Sequence, residues 1–215
     1  MRVRRHPERA RYDRAAVDAI LDEAVICHVG VVADGEPLVL PTLFARAGDT
    51  LYLHGAVLNR SLRAALEGVC VTVSLVDGVV LARTGPNHSI NYRSVVVRGR
   101  GRLVTDPDEK RRALEAVLDH AVPGRGAEVA PLTEGDLNST AVVAIEIAEF
   151  SAKVRSGPPL DNAADLGSPV WAGEVPLRMV AGAAVPDPGV APGTHPSASV
   201  AGLQRRFPPF EVAER

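Results

Sequence analysis

The chain has 215 residues, 46% of them hydrophobic, with 24 Lys and Arg set against 26 Asp and Glu. This length and apolar content support one core, and the near balance of charge excludes a long-range field that would gather nucleic acid or an anionic membrane. Cys27 and Cys70 stand alone in apolar strand-like runs, which excludes a disulfide framework or a cysteine metal site.

The basic opening MRVRRHPERARYDRAAV leads into an amphipathic helix and not an apolar signal core. No apolar run approaches the ~18 residues of a membrane span, so a cytoplasmic protein is expected. Ala16, Val17, Ile20, Leu21 and Ala24 follow helical spacing, with Asp13 as N-cap. The period then changes to two. VICHVGVV, EPLVLPTLFAR and LYLH read as three strands joined at ADGE and AGDT, with Asp34-Gly35 the tightest turn signal. A helix at 59–67 is followed by strands VCVTVSLVDG and VVLARTG and by SVVVRGRGRLV at 94–104, where Gly99 and Gly101 suit a curving strand. The helix predicted over 107–121 has Asp106 as N-cap and Pro107 at its first position. A short helix near TEGDLNST precedes one last strand, AVVAIEIAEFSAKV. No βαβα rhythm is present, so the pattern predicts a mainly β fold with α additions, a six- to seven-stranded antiparallel barrel with helices outside it.

After about Ser156 the composition turns rich in Pro and Gly and loses its period. The expected organisation is a barrel domain at 1–155, an extended segment at 156–185 laid across a surface by the apolar anchors of WAGEVPL, and a mobile tail at 186–215.

Two polar clusters carry the candidate chemistry. Asn59, Arg60 and Ser61 open the helix that follows LYLHG, and a helix start with small donors and an arginine can take a phosphate. The alternative is that Asn59 caps the helix and Arg60 turns to water. The second cluster, NHSINYRSVVV at 87–97, holds more donors than a turn needs, among them His88, Ser89, Asn91, Tyr92, Arg93 and Ser94, though a solvated loop could also present them. Two such clusters flanking strands of one sheet favour a shared polar ligand.

Taken together, EPLVLPTLFARAGDTLYLHG, NRSLRAAL, VCVTVSLVDGVVLARTG, HSINYRSVVVRGRGRLV and the end SAKVRSGPP…VWAGEVPL resemble the pyridoxamine 5′-phosphate oxidase superfamily. The likeness is to its flavin-nucleotide-binding branch, near the nitroimidazole-resistance-type proteins, and runs from roughly Glu8 to Pro176. It implies a Greek-key split β-barrel acting as a homodimer, with FMN at the subunit interface. The resemblance puts Val39, Leu40, Pro41 and Thr42 along the flavin ring. It puts His54, Gly55, Asn59, Arg60 and Ser61 at the ribityl phosphate, and Arg93 or Ser94 towards the flavin from the YRSVVV strand. Trp171 could fold over the ring from the partner subunit. Pro41, which offers no ladder N–H, fits a strand facing a ligand. The chain departs from strict pyridoxamine phosphate oxidases in having Ser61 after Arg60 and a Pro/Gly-rich end without their basic substrate-gripping segment.

The implied activity is flavin-dependent oxidation or reduction of a small aromatic or nitro-bearing molecule, with His54, His88 and Tyr92 as candidate proton donors. A flavin carrier or sensor without turnover is the alternative, and deazaflavin or haem are alternative cofactors, since split-barrel relatives use them. His28, alternating with apolar neighbours, reads as structural. No HExxH-type spacing, GxSxG elbow or dinucleotide fingerprint is present, so no metal is assigned. Arg98, Arg100 and Arg102 read as a solvated or interface-facing strand edge. With one Trp, three Tyr and four Phe in the chain, an RNA-stacking surface is not expected.

Overall fold

The computed structural model describes residues 2–210. After a two-residue strand β1 (Ala10–Arg11), helix α1 (Arg14–Glu23) starts where the Asp13 carboxylate accepts from the Ala16 N–H, and it buries Val17, Ile20 and Leu21. Strands β2 (Ile26–Ala33) and β3 (Glu36–Ala47) follow. Asp34 and Gly35 between them both take positive φ, 55° and 82°, as a tight hairpin turn requires. Then come β4 (Thr50–Ala56), α2 (Arg60–Ala65), β5 (Val69–Leu81), β6 (Ser89–Gly99), β7 (Gly101–Leu103), α3 (Pro107–Ala121) and α4 (Glu134–Ser139). The chain continues through β8 (Thr140–Glu146), β9 (Glu149–Arg155), β10 (Gly173–Pro176) and α5 (Ala198–Arg206).

All strand pairs are antiparallel, in the order β1-β9-β6-β5-β2-β3-β4-β8-β7, with β10 added beside β5. One core joins Ile145 and Val143 of β8 to Ala152 of β9, Val71 and Val73 of β5, and Val95 and Val97 of β6. Strands far apart in that order therefore pack on each other, which is the rolled sheet of a split barrel. A smaller core of Val104, Ala113, Val142 and Ala144 seats α3 on the outside of β4 and β8.

The described sheet has ten strands, not six or seven. The run AVVAIEIAEFSAKV, expected as one strand, is a hairpin turning at residues 147–148. Ile147 is buried in the core, so the apolar alternation runs unbroken through a turn that no Gly, Pro, Asn or Asp marks. Conversely, Asp77-Gly78 is not a turn but a register shift within one long β5. The donor-rich segment from Ser89 is already part of β6, and the strand expected over 94–104 breaks at Arg100 so that β7 can pair with β8.

The segment after Ser156 also differs in how it is held. Backbone pairing of Gly173–Pro176 with Gly78–Leu81 attaches it, while its expected anchors stay out: Trp171 is 64% exposed, and Val175 and Leu177 are exposed as well. In the stretch expected to be a mobile tail, 198–206 is helical. Arg206 of α5 donates to the carbonyls of Asp22, Glu23 and His120, and Ser197 and Ser199 donate to Glu128. The helix was hidden because it is short, holds Gly202, and lies in a proline-rich context. Residues 211–215 of that expected tail lie outside the described residues.

Candidate functional site

At the β4–α2 junction the polar cluster is internally satisfied. The Asn59 side-chain oxygen accepts from the Ser61 N–H at 2.9 Å, the Leu62 N–H at 3.2 Å and the Ser61 hydroxyl at 2.6 Å. This is an N-cap, the bland alternative for Asn59. Gly55 makes room for it, since a Cβ there would come within 2.9 Å of Asn59 Nδ2. Arg60 reaches away to Asp34 at 2.9 Å, with both side chains mostly exposed. Arg63, one turn on, is exposed and has no ion pair among the described residues.

Strand alternation sends His54 elsewhere. Leu51 and Leu53 fill the barrel core, so Tyr52 and His54 point to the opposite face, under α3. Tyr52 donates to Glu109 at 3.2 Å. His54 lines a cavity of about 360 Å³ with Leu43, Leu114, Val117, Leu118 and Leu132. Its Nδ1 is buried without a hydrogen-bond partner among the described residues, and burial lowers its pKa, which keeps the ring neutral.

The second cluster is also largely spoken for. Arg93 donates to Asp77 at 2.7 and 3.0 Å and to Glu23 at 2.8 Å, and these carboxylates, Glu23 first, raise its pKa. It lines a 750 Å³ cavity with Asp77, Leu177, Arg178 and Met179. Asn91 is buried, accepts from Arg155 and donates to Glu174 at 2.6 Å, tying β10 to the sheet. Ser94 sits opposite Ser74, Tyr92 is half-buried opposite Arg155, and His88 is exposed with Nδ1 at 3.0 Å from the Thr84 carbonyl. Trp171 lies in the segment leading into β10. Arg98, Arg100 and Arg102 face Glu149, Glu67 and Glu109 respectively.

Val39, Leu40, Pro41 and Thr42 lie on β3 opposite Leu40's partner Val29 and its neighbours Gly30, His28 and Cys27. Val39 is 64% exposed, and with Ile26, Val32 and Leu43 it leaves an apolar face on β2 and β3, Ile26 directly opposite Leu43. Cys27 points the other way, and burial pushes its thiol up to about 12.

The single chain does not bring its candidate donors together. His54 on β4 and the pair His88 and Tyr92, at and on β6, are separated by β5, β2 and β3. The carboxylates that hold Arg93 and the leucines around His54 were missed from sequence. The helical spacing of Leu114, Val117, Leu118 and Ala121 is a signal for an apolar helix face, though it does not say that a histidine shares it.

A family model described as "Pyridoxamine 5'-phosphate oxidase" matches residues 13–154. Among solved structures, the flavocytochrome Anf3 from Azotobacter vinelandii is 39% identical with a TM-score of 0.89, covering 93% of this chain and 94% of its own. The "FAD and Heme binding protein" from Mycobacterium smegmatis is 36% identical with a TM-score of 0.87, covering 91% and 97%. A proposed 5-nitroimidazole antibiotic resistance protein from Bacteroides thetaiotaomicron is 26% identical with a TM-score of 0.57, covering 67% and 86%. No curated protein matches the sequence.

Proposed function

The chain belongs to the pyridoxamine 5′-phosphate oxidase family, and on that footing we propose that it is a flavin-dependent redox protein, working as a homodimer with the flavin where two subunits meet. The observation that carries this reading is the apolar face of β2 and β3, with Ile26, Val32, Val39 and Leu43 exposed in a single chain. Contiguous apolar surface of this kind marks an interaction site. A second copy laid on that face would cover it and bring a second set of donors to the β3 edge.

The chain's own residues suit a flavin. Val39, Leu40, Pro41 and Thr42 would lie along the ring, Gly55, Arg60 and Ser61 would be near the phosphate end, and Arg93 or Ser94 would approach from β6. Arg60 can leave Asp34, because an exposed pair is worth about 0–1 kcal/mol, less than the about 1.5–3 kcal/mol of a hydrogen bond to a charged group. The form of flavin we favour is FAD over FMN. The cap uses the Asn59 oxygen and the Ser61 hydroxyl, which leaves two exposed cations, Arg60 and Arg63, three residues apart on one helix side, matching a diphosphate. The 36% identical relative described as an FAD- and haem-binding protein supports the same choice.

When bound, the flavin supplies the electron-transfer chemistry. Tyr92 and His88 are the proton donors closest along the chain to Arg93, and the substrate is a small aromatic or nitro-bearing molecule. The test is the visible spectrum of the purified protein before and after incubation with FAD or FMN and removal of excess, then anaerobic addition of NADH or NADPH. Retained flavin bands that bleach support the proposal; a colourless protein that refuses both flavins sinks it. A second reading, that haem is bound as well as flavin, is favoured by the two relatives described as a flavocytochrome and as an FAD- and haem-binding protein.

A further inference from the structure

Strand β5 pairs with β6 along one edge. Along its other edge β2 covers Cys70–Thr72 and β10 covers Gly78–Leu81, which leaves Ser74, Leu75 and Val76 with no strand beside them. A cavity of about 750 Å³ opens at this gap, within the range of roughly 300–1,000 Å³ typical of pockets that hold small molecules. Its walls have two origins. Glu23, Val25, residues 74–77 and Arg93 come from the barrel, whereas residues 176–179 and 206–208 lie beyond residue 154, where the family match ends. The two outer pieces hold each other: the Ala181 N–H donates to the Phe207 carbonyl at 2.8 Å, and Gln204 donates to the Gly182 carbonyl at 3.0 Å.

Charge narrows the occupant. The guanidinium groups of Arg93, Arg178 and Arg206 line the cavity with the carboxylates of Glu23 and Asp77. Arg93 is taken by both carboxylates, and Arg206 by the carbonyls of Asp22, Glu23 and His120. Arg178 makes no hydrogen bond or ion pair among the described residues; its guanidinium rests on the Phe210 ring, 5.5 Å from the centroid. One positive charge is left over, which suits a monoanion. A phosphate monoester, with nearly two negative charges, would also meet Glu23 and Asp77 in repulsion. Much of the remaining lining is apolar, and Val76 and Met179 are 50% and 67% exposed, large apolar side chains left open around a hollow. Met179 and Phe207 are side chains that pack well on an aromatic ring.

We propose that this cavity binds an aromatic monocarboxylate, with Arg178 taking the carboxylate and Met179 and Phe207 against the ring. In naming a substrate class for the redox protein it rests on the reading given under the proposed function, while the site itself needs no flavin to form. The selectivity lies in the residues after 154: the barrel supplies a gap and a self-neutralised cluster of Arg93, Glu23 and Asp77, and the C-terminal segment supplies the free cation and the apolar wall.

The test is calorimetric titration of the full-length protein with para-nitrobenzoate and, at the same ionic strength, with its neutral counterpart para-nitrobenzamide. Wild type should bind the acid at least about fivefold more tightly than the amide, a modest share of what a hydrogen bond to a charged group can give. Arg178→Gln should erase that preference and Arg178→Lys should keep most of it. Both variants should fold, because the side chain is exposed. Arg205→Gln, which removes the same charge from an exposed position on α5, should bind both molecules as wild type does. Acid and amide bound equally by wild type, or neither bound, overturns the proposal. A preference that survives in Arg178→Gln overturns the assignment of Arg178. Protein that refuses flavin yet keeps the preference for the acid loses the redox reading and keeps this site.

Discussion

The guanidinium of Arg206 donates to the backbone carbonyl of His120 at 2.6 Å. It also reaches the carbonyls of Asp22 and Glu23 at 3.0 and 2.9 Å, so one side chain of α5 satisfies the ends of both α3 and α1. Truncation to Arg206→Ala removes a charged donor from carbonyls that have lost their helical partners. Stability should fall by about 1.5–3 kcal/mol, read as a lower urea midpoint. An unchanged midpoint would mean that α5 is not docked in solution.

Asn59 and Arg60 should separate by assay. Asn59→Ala removes the cap of α2 and should cost about 0.5–2 kcal/mol of stability with or without flavin. Arg60→Ala should change stability by no more than about 1 kcal/mol while weakening flavin binding by about 1.5–3 kcal/mol. Thermal unfolding of apo protein and flavin titration measure the two. Equal behaviour of the variants in both assays would refute the division of roles.

Acid should destabilise the protein in two stages. His54 and His120 have pKa values lowered by burial, so the unfolded chain takes up their protons first, and the stability they carry is present above about 6.5 and lost as pH falls below it. Glu128 is held down to about 2, chiefly by the hydroxyls of Ser197 and Ser199. Its contribution is therefore present above its ordinary 4.5 and lost between there and about 2. Urea midpoints from pH 8 to pH 3 test this; a flat profile between pH 7 and 5 would contradict the histidine stage, and Glu128→Gln should flatten the second.

The apolar face of β2 and β3 makes a prediction about assembly. Val39→Asp should leave the barrel folded, because residue 39 is 64% exposed in the single chain, yet convert dimer to monomer in light scattering and release flavin. A monomeric wild type would remove the basis of the interface.

The sequence was legible where one local signal was sufficient. Asp13, Asn59 and Asp106 cap their helices, and Asp34-Gly35 turns its hairpin, because each depends only on the residues beside it. It was illegible where a distant partner decides. Residues 147–148 turn because β8 and β9 belong with different neighbours, while the buried Ile147 keeps the pattern continuous. Arg93 read as a ligand donor, and its carboxylates, Glu23 and Asp77, arrive from α1 and β5. The family resemblance placed His54 with Gly55 in the phosphate grip. Strand alternation sets the two on opposite faces, and only the placement of α3 shows what His54 meets.

Both faces of β4 are covered along Leu51–His54: two leucines are buried in the barrel, and the phenol and imidazole stand half-buried beneath α3. A slip of one residue in its pairing with β8 would exchange the two pairs, driving Tyr52 and His54 into an all-hydrocarbon interior and stripping Tyr52 from Glu109. The polar pair therefore favours the observed register over a one-residue slip. A variant that replaced both with leucine would fold with its two faces chemically alike, free to lock in a frame-shifted strand.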